Sequence, residues 1–169
     1  MASIANLQRI TAKSLSDLIL AEAEVSDPSY AVIDVRDDDH IGGHIKGSMN
    51  VPSRTIDAMM PTLLRKLESK QTVVFHCALS QQRGPSAALR YLREVERLKS
   101  ERSLSSSEAE AEATAEVEAA SDAIQKAKDR GQKVYVLDRG FVGWQELYGE
   151  DERLTSGYRK DLWKNGYWG

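Results

Sequence analysis

Cys77 and Arg83 stand with five residues between them in the stretch Thr72-Val73-Val74-Phe75-His76-Cys77-Ala78-Leu79-Ser80-Gln81-Gln82-Arg83-Gly84-Pro85. The thiolate of a cysteine is a strong nucleophile, and a guanidinium offers a planar, permanently charged fork to two oxygens of a tetrahedral oxyanion. The segment Ala78, Leu79, Ser80, Gln81, Gln82 and Arg83 can add a cradle of backbone N–H groups if it leads into a helix. Unpaired donors and the positive end of the helix dipole converge at such a terminus, and the same field favours thiolate over thiol in general. A lone cysteine is more often an inert buried side chain. Here His76, Cys77, Arg83, Gly84 and Pro85 all fall where a strand-to-helix anion loop needs them, which outweighs that alternative.

The elements that would hold this loop can be read from the pattern around it. Thr72 to Phe75 is a β-branched and aromatic run suited to a core strand, and Ser86 opens a helix with apolar residues at i, i+3 and i+4. Upstream, Leu7 to Ile10 reads as a short strand, with Thr11 or Ser14 capping a helix through Leu15, Leu18 and Ile19. Tyr30 to Val35 reads as a buried strand that ends in Arg36-Asp37-Asp38-Asp39, and Ile56 to Lys70 as a helix with a broad apolar stripe. Lys133 to Leu137 is another core strand, and Asp138 to Trp144 opens another helix. Strands alternating with helices predict an α/β domain with a mostly parallel sheet of about five strands and helices on both faces. The active loops then lie at the strand C-terminal ends. Residues 1–150 form this domain, interrupted by a Ser/Glu/Ala-rich insertion at about 100–129 that contains a capping box at Ser105 to Glu108. Residues 151–169, with Trp163, Tyr167 and Trp168, form a tail expected to pack on the body.

His76 to Pro85 resembles the active-site loop of the M-phase inducer (cell-division-cycle) dual-specificity phosphatases and of the related eukaryotic arsenate reductases, both of the rhodanese-fold superfamily. Two further segments carry the resemblance independently. Asp34-Val35-Arg36 with Gly42-Gly43-His44-Ile45-Lys46-Gly47 and Asn50-Val51-Pro52 is similar to the stretch preceding the active site in rhodanese domains. Asp138-Arg139-Gly140-Phe141-Val142-Gly143-Trp144 resembles their Gly-Gly-Phe-x-x-Trp turn, with Arg139 where a Gly is usual. The resemblance implies a single rhodanese-like domain and a cysteine-dependent phosphatase that acts on phosphotyrosine or with dual specificity through a Cys77-phosphate. The alternative is an arsenate reductase with glutathione as co-substrate and a glutaredoxin as partner. Sulfur transfer through a Cys77 persulfide ranks below both, because sulfurtransferase loops of this fold are one residue shorter. The cell-cycle phosphatases have a Glu where Gln82 stands, and Gln82 cannot donate a proton in its place.

The general acid is open among Asp37, Asp38 and Asp39. Asp34 and Arg36 are expected to brace the neighbouring loop, His76 to support the active loop through the backbone, and Ser80 to donate to the sulfur. The cluster of Asp34, Asp37, Asp38, Asp39, His40 and His44 raises the question of a metal. A Gly-rich turn without Cys partners argues for solvated or capping carboxylates, and no metal or other cofactor is expected. Arg90, Arg93, Arg97 and Lys99 read as a solvated basic face.

With 169 residues and 41% hydrophobic side chains the chain suffices for one core, and its net charge of −3 argues against a nucleic-acid partner. One cysteine allows no internal disulfide, and no stretch has the apolar length of a membrane span. A reduced nucleophilic thiol fits the cytoplasm or nucleus. The expected partner is a phosphorylated protein or a small phosphate or arsenate oxyanion.

Overall fold

The computed structural model describes residues 7–106 and 132–163. Five strands, β1 (Gln8–Ile10), β2 (Tyr30–Asp34), β4 (Met49–Asn50), β5 (Thr72–His76) and β6 (Lys133–Leu137), form one sheet in the order β1-β6-β5-β2-β4, and every pairing is parallel. A small antiparallel pair, β3 (His44–Ile45) with β7 (Thr155–Ser156), lies apart from it. The helices are α1 (Ala12–Ala21), α2 (Ile56–Leu67), α3 (Arg83–Ser106), α4 (Gly140–Tyr148) and the short α5 (Lys160–Trp163).

Parallel strands need crossover helices, and these cover both faces of the sheet. On one face Ile33, Val73, Phe75 and Val136 pack with Ile56, Met60 and Leu63 of α2 and Ala88 and Tyr91 of α3. On the other, Val32, Val74 and Leu137 meet Leu15 and Ile19 of α1 and Phe141 and Trp144 of α4. Strand alternation therefore sends Val73, Phe75 and Cys77 towards α2 and α3, and Val74 and His76 towards α4.

Several boundaries depart from the sequence reading. Helix α3 begins at Arg83, not at Ser86, because Gly84 and Pro85 sit in its first turn, where proline's missing N–H goes unused. It continues to Ser106, so the first residues of the Ser/Glu/Ala-rich segment, 100–106, prolong the helix that follows the loop. Helix α2 stops at Leu67, three residues short of Lys70. The expectations for the rest of the Ser/Glu/Ala-rich segment, for Tyr167 and for Trp168 lie outside the described residues. Trp163 packs inward: its Nε1–H donates to Gly42 O at 3.0 Å, and its ring is 5.5 Å from that of Phe141.

Candidate active site

The C-terminal ends of β5, β2 and β6 lie side by side, and each delivers one part of the site. From β5 the chain enters the loop of residues 77–82 and then the first turn of α3. Cys77 is 3% exposed, and its Sγ accepts a hydrogen bond from the Ser80 backbone N–H at 3.2 Å. Ser80 thus donates through its amide, while its buried Oγ has no partner among the described residues. Ser80 adopts a left-handed φ of 55°, which reverses its peptide relative to its neighbours.

The loop carbonyls are tied away from the thiol. Cys77 O accepts from Phe141 N–H at 3.0 Å and faces His76 Nδ1 at 3.0 Å, Ala78 O accepts from Val142 N–H at 2.9 Å, and Ser80 O accepts from Arg9 Nη2 at 3.1 Å. With these acceptors bonded away from the thiol, the Ser80 amide faces the sulfur, as one donor of an anion cradle would. The first turn of α4 supplies two of those anchors, and its approach depends on Gly140. A Cβ there would lie 2.5 Å from Ala78 O and 2.6 Å from Cys77 O, and the residue has a φ of +58°. Arg139, just before it, also has a positive φ of 64°. That conformation is the physical reason a Gly suits the position.

Behind the loop, Asp34 and Arg36 form an ion pair with no solvent exposure. Arg36 Nη2 donates to Asp34 Oδ2 at 2.7 Å and to Gly43 O at 2.9 Å, and its guanidinium lies 4.3 Å from the centre of the Phe141 ring. Arg36 therefore connects the strand end, the glycine-rich turn and the residue that caps Cys77 O. Burial opposes ionisation of Asp34, but His76 and the Arg36 hydrogen bonds and charge hold its carboxyl below the usual range. Burial depresses His76 from its ordinary value, only partly countered by Asp34. The Nδ1–H of neutral His76 faces Cys77 O, which can only accept. His40 Nε2 stands 3.4 Å from the same Asp34 carboxylate.

Arg83 does not point its fork at open solvent. Its Nη1 and Nη2 donate to the two oxygens of Asp39 at 2.7 and 2.6 Å, and Nη1 also reaches Asp37 Oδ2 at 3.3 Å. The Arg83 hydrogen bonds pull the Asp39 carboxyl down to about 2, and the pairing raises Arg83 above its usual value. Burial alone would raise Asp37, but Ser53, the Arg54 N–H and Arg83 together hold it low. Asp38 is exposed and pairs with Arg54 at 3.0 Å. In the unliganded protein Asp37 and Asp39 are thus carboxylates without a proton to give. Gln81 and Gln82 are exposed on the rim. Sequence reasoning missed the Arg83–Asp39 fork, the Arg9 brace and the capping by α4. The first had a signal in the run of three aspartates, whereas the other two depend on which strand ends meet.

Residues 17–147 match the Rhodanese-like domain family, and the chain belongs to it. Its relatives within that family are named as phosphatases and arsenate reductases. It is 35% identical over 146 residues to the CDC25-like phosphatase YCH1 of Saccharomyces cerevisiae, covering 80% of this chain and 78% of that protein. It is 36% identical over 128 residues to arsenate reductase 2.1 of Oryza sativa, covering 74% of this chain and 61% of that protein. Among solved structures, Ygr203w, described as a yeast protein tyrosine phosphatase of the Rhodanese family, superposes with a TM-score of 0.61 at 31% identity over 95% of this chain and 99% of its own. The As-Sb reductase of Leishmania major superposes with a TM-score of 0.52 at 25% identity, over 87% of this chain and 82% of its own.

Proposed function

We propose that the chain is a cysteine-dependent phosphatase that cleaves phosphate monoesters through a Cys77-phosphate intermediate. The observation that carries this reading is the orientation of the loop: carbonyls of Cys77, Ala78 and Ser80 bonded outward, and the Ser80 amide aimed at Sγ beside the first turn of α3. In the first step the Cys77 thiolate attacks phosphorus, the P–O ester bond breaks and the leaving oxygen departs as an anion that takes its proton from solvent water. Arg83 and the loop amides hold the non-bridging oxygens as their charge redistributes. Water then attacks the thiol-bound phosphorus and returns Cys77 as thiolate. Gln82 brings no proton, and Asp37 and Asp39 are ionised in the free protein. The first step therefore favours esters with a good leaving group, phosphotyrosine before phosphoserine.

A second reading, arsenate reduction, is favoured by Gln82, whose lack of a proton matters less when no alcohol has to leave. Arsenate has the same tetrahedral shape, and attack by Cys77 would release water and form a sulfur–arsenic bond. With no second cysteine in the chain, a glutathione thiolate must attack that sulfur; arsenic keeps the bonding pair and leaves as arsenite, and Cys77 is left in a mixed disulfide. Two thiols are oxidised as arsenic takes up two electrons, and a glutaredoxin-like partner would return Cys77 to the thiol.

Aryl phosphate hydrolysis, glutathione-dependent arsenate reduction and thiosulfate sulfur transfer, assayed in parallel with Cys77→Ser as control, test both readings. Hydrolysis that needs no added thiol beyond keeping Cys77 reduced, and that Cys77→Ser abolishes, supports the first. Arsenate turnover without measurable hydrolysis would replace it with the second, and mass spectrometry would then find glutathione on Cys77. Sulfur transfer alone would overturn both.

A further inference from the structure

The side chain best suited to clamp an oxyanion is already clamped. Both terminal nitrogens of Arg83 are taken by the two oxygens of Asp39, at 2.7 and 2.6 Å, in the bidentate geometry that a phosphate or arsenate would use. The two acids in contact with Arg83 are held differently. Asp37 has anchors of its own, accepting from Ser53 Oγ at 2.5 Å and from the Arg54 backbone N–H at 3.2 Å, so it keeps these bonds if Arg83 leaves. Asp39 holds the fork itself and is tied to its own loop by the Asp37 N–H at 2.9 Å. The carboxylate-bearing loop is therefore fixed in place while the Arg83–Asp39 contact can exchange.

We infer that Asp39 sets the affinity of the site for oxyanions by competing with them for the guanidinium fork of Arg83. This rests on the functional reading above, that the loop binds a tetrahedral oxyanion. A ligand binds with full strength only to molecules whose Arg83 has left Asp39, so the apparent dissociation constant is the intrinsic one divided by the fraction of molecules with Arg83 free. The cost lies in the free protein, so it is the same for phosphate, arsenate and vanadate. It weakens ground state and transition state alike, and therefore enters KM and leaves kcat unchanged. Asp39 is on this account a positioning residue for Arg83, with no contact to the reacting atoms.

The pair is about one-quarter exposed on the Asp39 side and 30% on the Arg83 side, which screens it and keeps the penalty modest. Asp39→Asn is expected to tighten inhibition by inorganic phosphate, arsenate and vanadate by a common factor of about tenfold, equivalent to about 1.4 kcal/mol. KM for an aryl phosphate falls by the same factor while kcat stays within about twofold. Asp39→Glu, which retains the charge, restores the weaker binding, and Asp27→Asn, whose partner is Lys70 far from the loop, changes nothing. A second measurement needs no variant: in wild-type protein carrying ¹³C-labelled aspartate, the Asp39 carboxyl resonance moves when phosphate is added and that of Asp27 does not. Unchanged or weaker inhibition in Asp39→Asn, a change in kcat without one in KM, or a stationary Asp39 resonance would overturn the inference. If neither the wild type nor Asp39→Asn binds any of the three oxyanions, the functional reading falls as well. A wild type that binds them, with no gain in the variant, overturns the competition alone.

Discussion

Replacing Gly140 with alanine tests whether the cradle is held open by the first turn of α4. The added methyl would stand 2.5 Å from Ala78 O, 2.6 Å from Cys77 O and 2.8 Å from the Ala78 carbonyl carbon, where ordinary contact begins at 3.4 Å. Those atoms are backbone and cannot swing aside as a side-chain tip would. The residue must also keep its φ of +58°, which costs a non-glycine residue about 1–2 kcal/mol. Relief comes only if α4 retreats, and that breaks the Phe141 and Val142 N–H bonds to Cys77 O and Ala78 O. Cys77 O retains His76 Nδ1, but Ala78 O is left without this partner, a loss of about 1–3 kcal/mol for a buried carbonyl. The sum is about 2–5 kcal/mol, a large share of the 5–15 kcal/mol typical of a domain. Urea titration of Gly140→Ala should report that loss. In buffer where the variant remains folded, kcat/KM for an aryl phosphate should fall at least about tenfold, because the released peptides turn carbonyls towards the sulfur. A loss below about 1 kcal/mol with unchanged kcat/KM would refute the account of how the loop is oriented.

Arg83→Lys keeps the charge but not the planar fork, and is expected to lose most activity; wild-type kinetics would remove Arg83 from the clamp. Asp34→Asn strands the buried Arg36 without its counter-charge and should destabilise the protein by about 3–5 kcal/mol in denaturant titration. Arg139→Gly relieves a positive φ at the price of one exposed ion pair with Glu146, and should raise stability by about 0.5–1 kcal/mol. Two pH windows follow from the shifts. Burial keeps folded His76 from taking a proton that the unfolded chain binds, so stability is full above about pH 6.5 and declines below it, a slope that His76→Asn should flatten. The Asp39–Arg83 pair contributes above about pH 3.9 and is lost as pH falls towards about 2, a step absent from Asp39→Asn.

The pairing of Cys77 and Arg83 on one strand–loop–helix was legible because both stand in one contiguous stretch, and the strands because Tyr30 to Asp34, Thr72 to His76 and Lys133 to Leu137 are dense in apolar and β-branched residues. The start of α3 was placed late because the apolar spacing begins only at Ser86, whereas Gly84 and Pro85 are at home in a first turn. The run of three aspartates was visible and signalled anions near the loop, yet it does not say that Asp37 and Asp39 are the two that meet Arg83, more than 40 positions away. Arg9 looks like an exposed strand residue; its bond to Ser80 O exists only because β1 and β5 flank β6 in a parallel sheet and so end on the same side.

That placement of β6 between β1 and β5 has a consequence for assembly. The register of β6 joins residues near the start of the chain to residues beyond position 132: Gln8 lies opposite Tyr135, and Val74 opposite Tyr135 on the other edge. Long loops must close before any of these contacts stabilises the chain, which slows folding. A polypeptide made only as far as Gln132 would contain Cys77, Arg83 and every residue between them, yet would lack β6, the N–H groups of Phe141 and Val142, and the strand that brings Arg9 to Ser80. Without β6 the edge of β5 that carries Cys77 is open, and the bonds that orient the loop of residues 77–82 form only when nearly the whole described chain has closed around it.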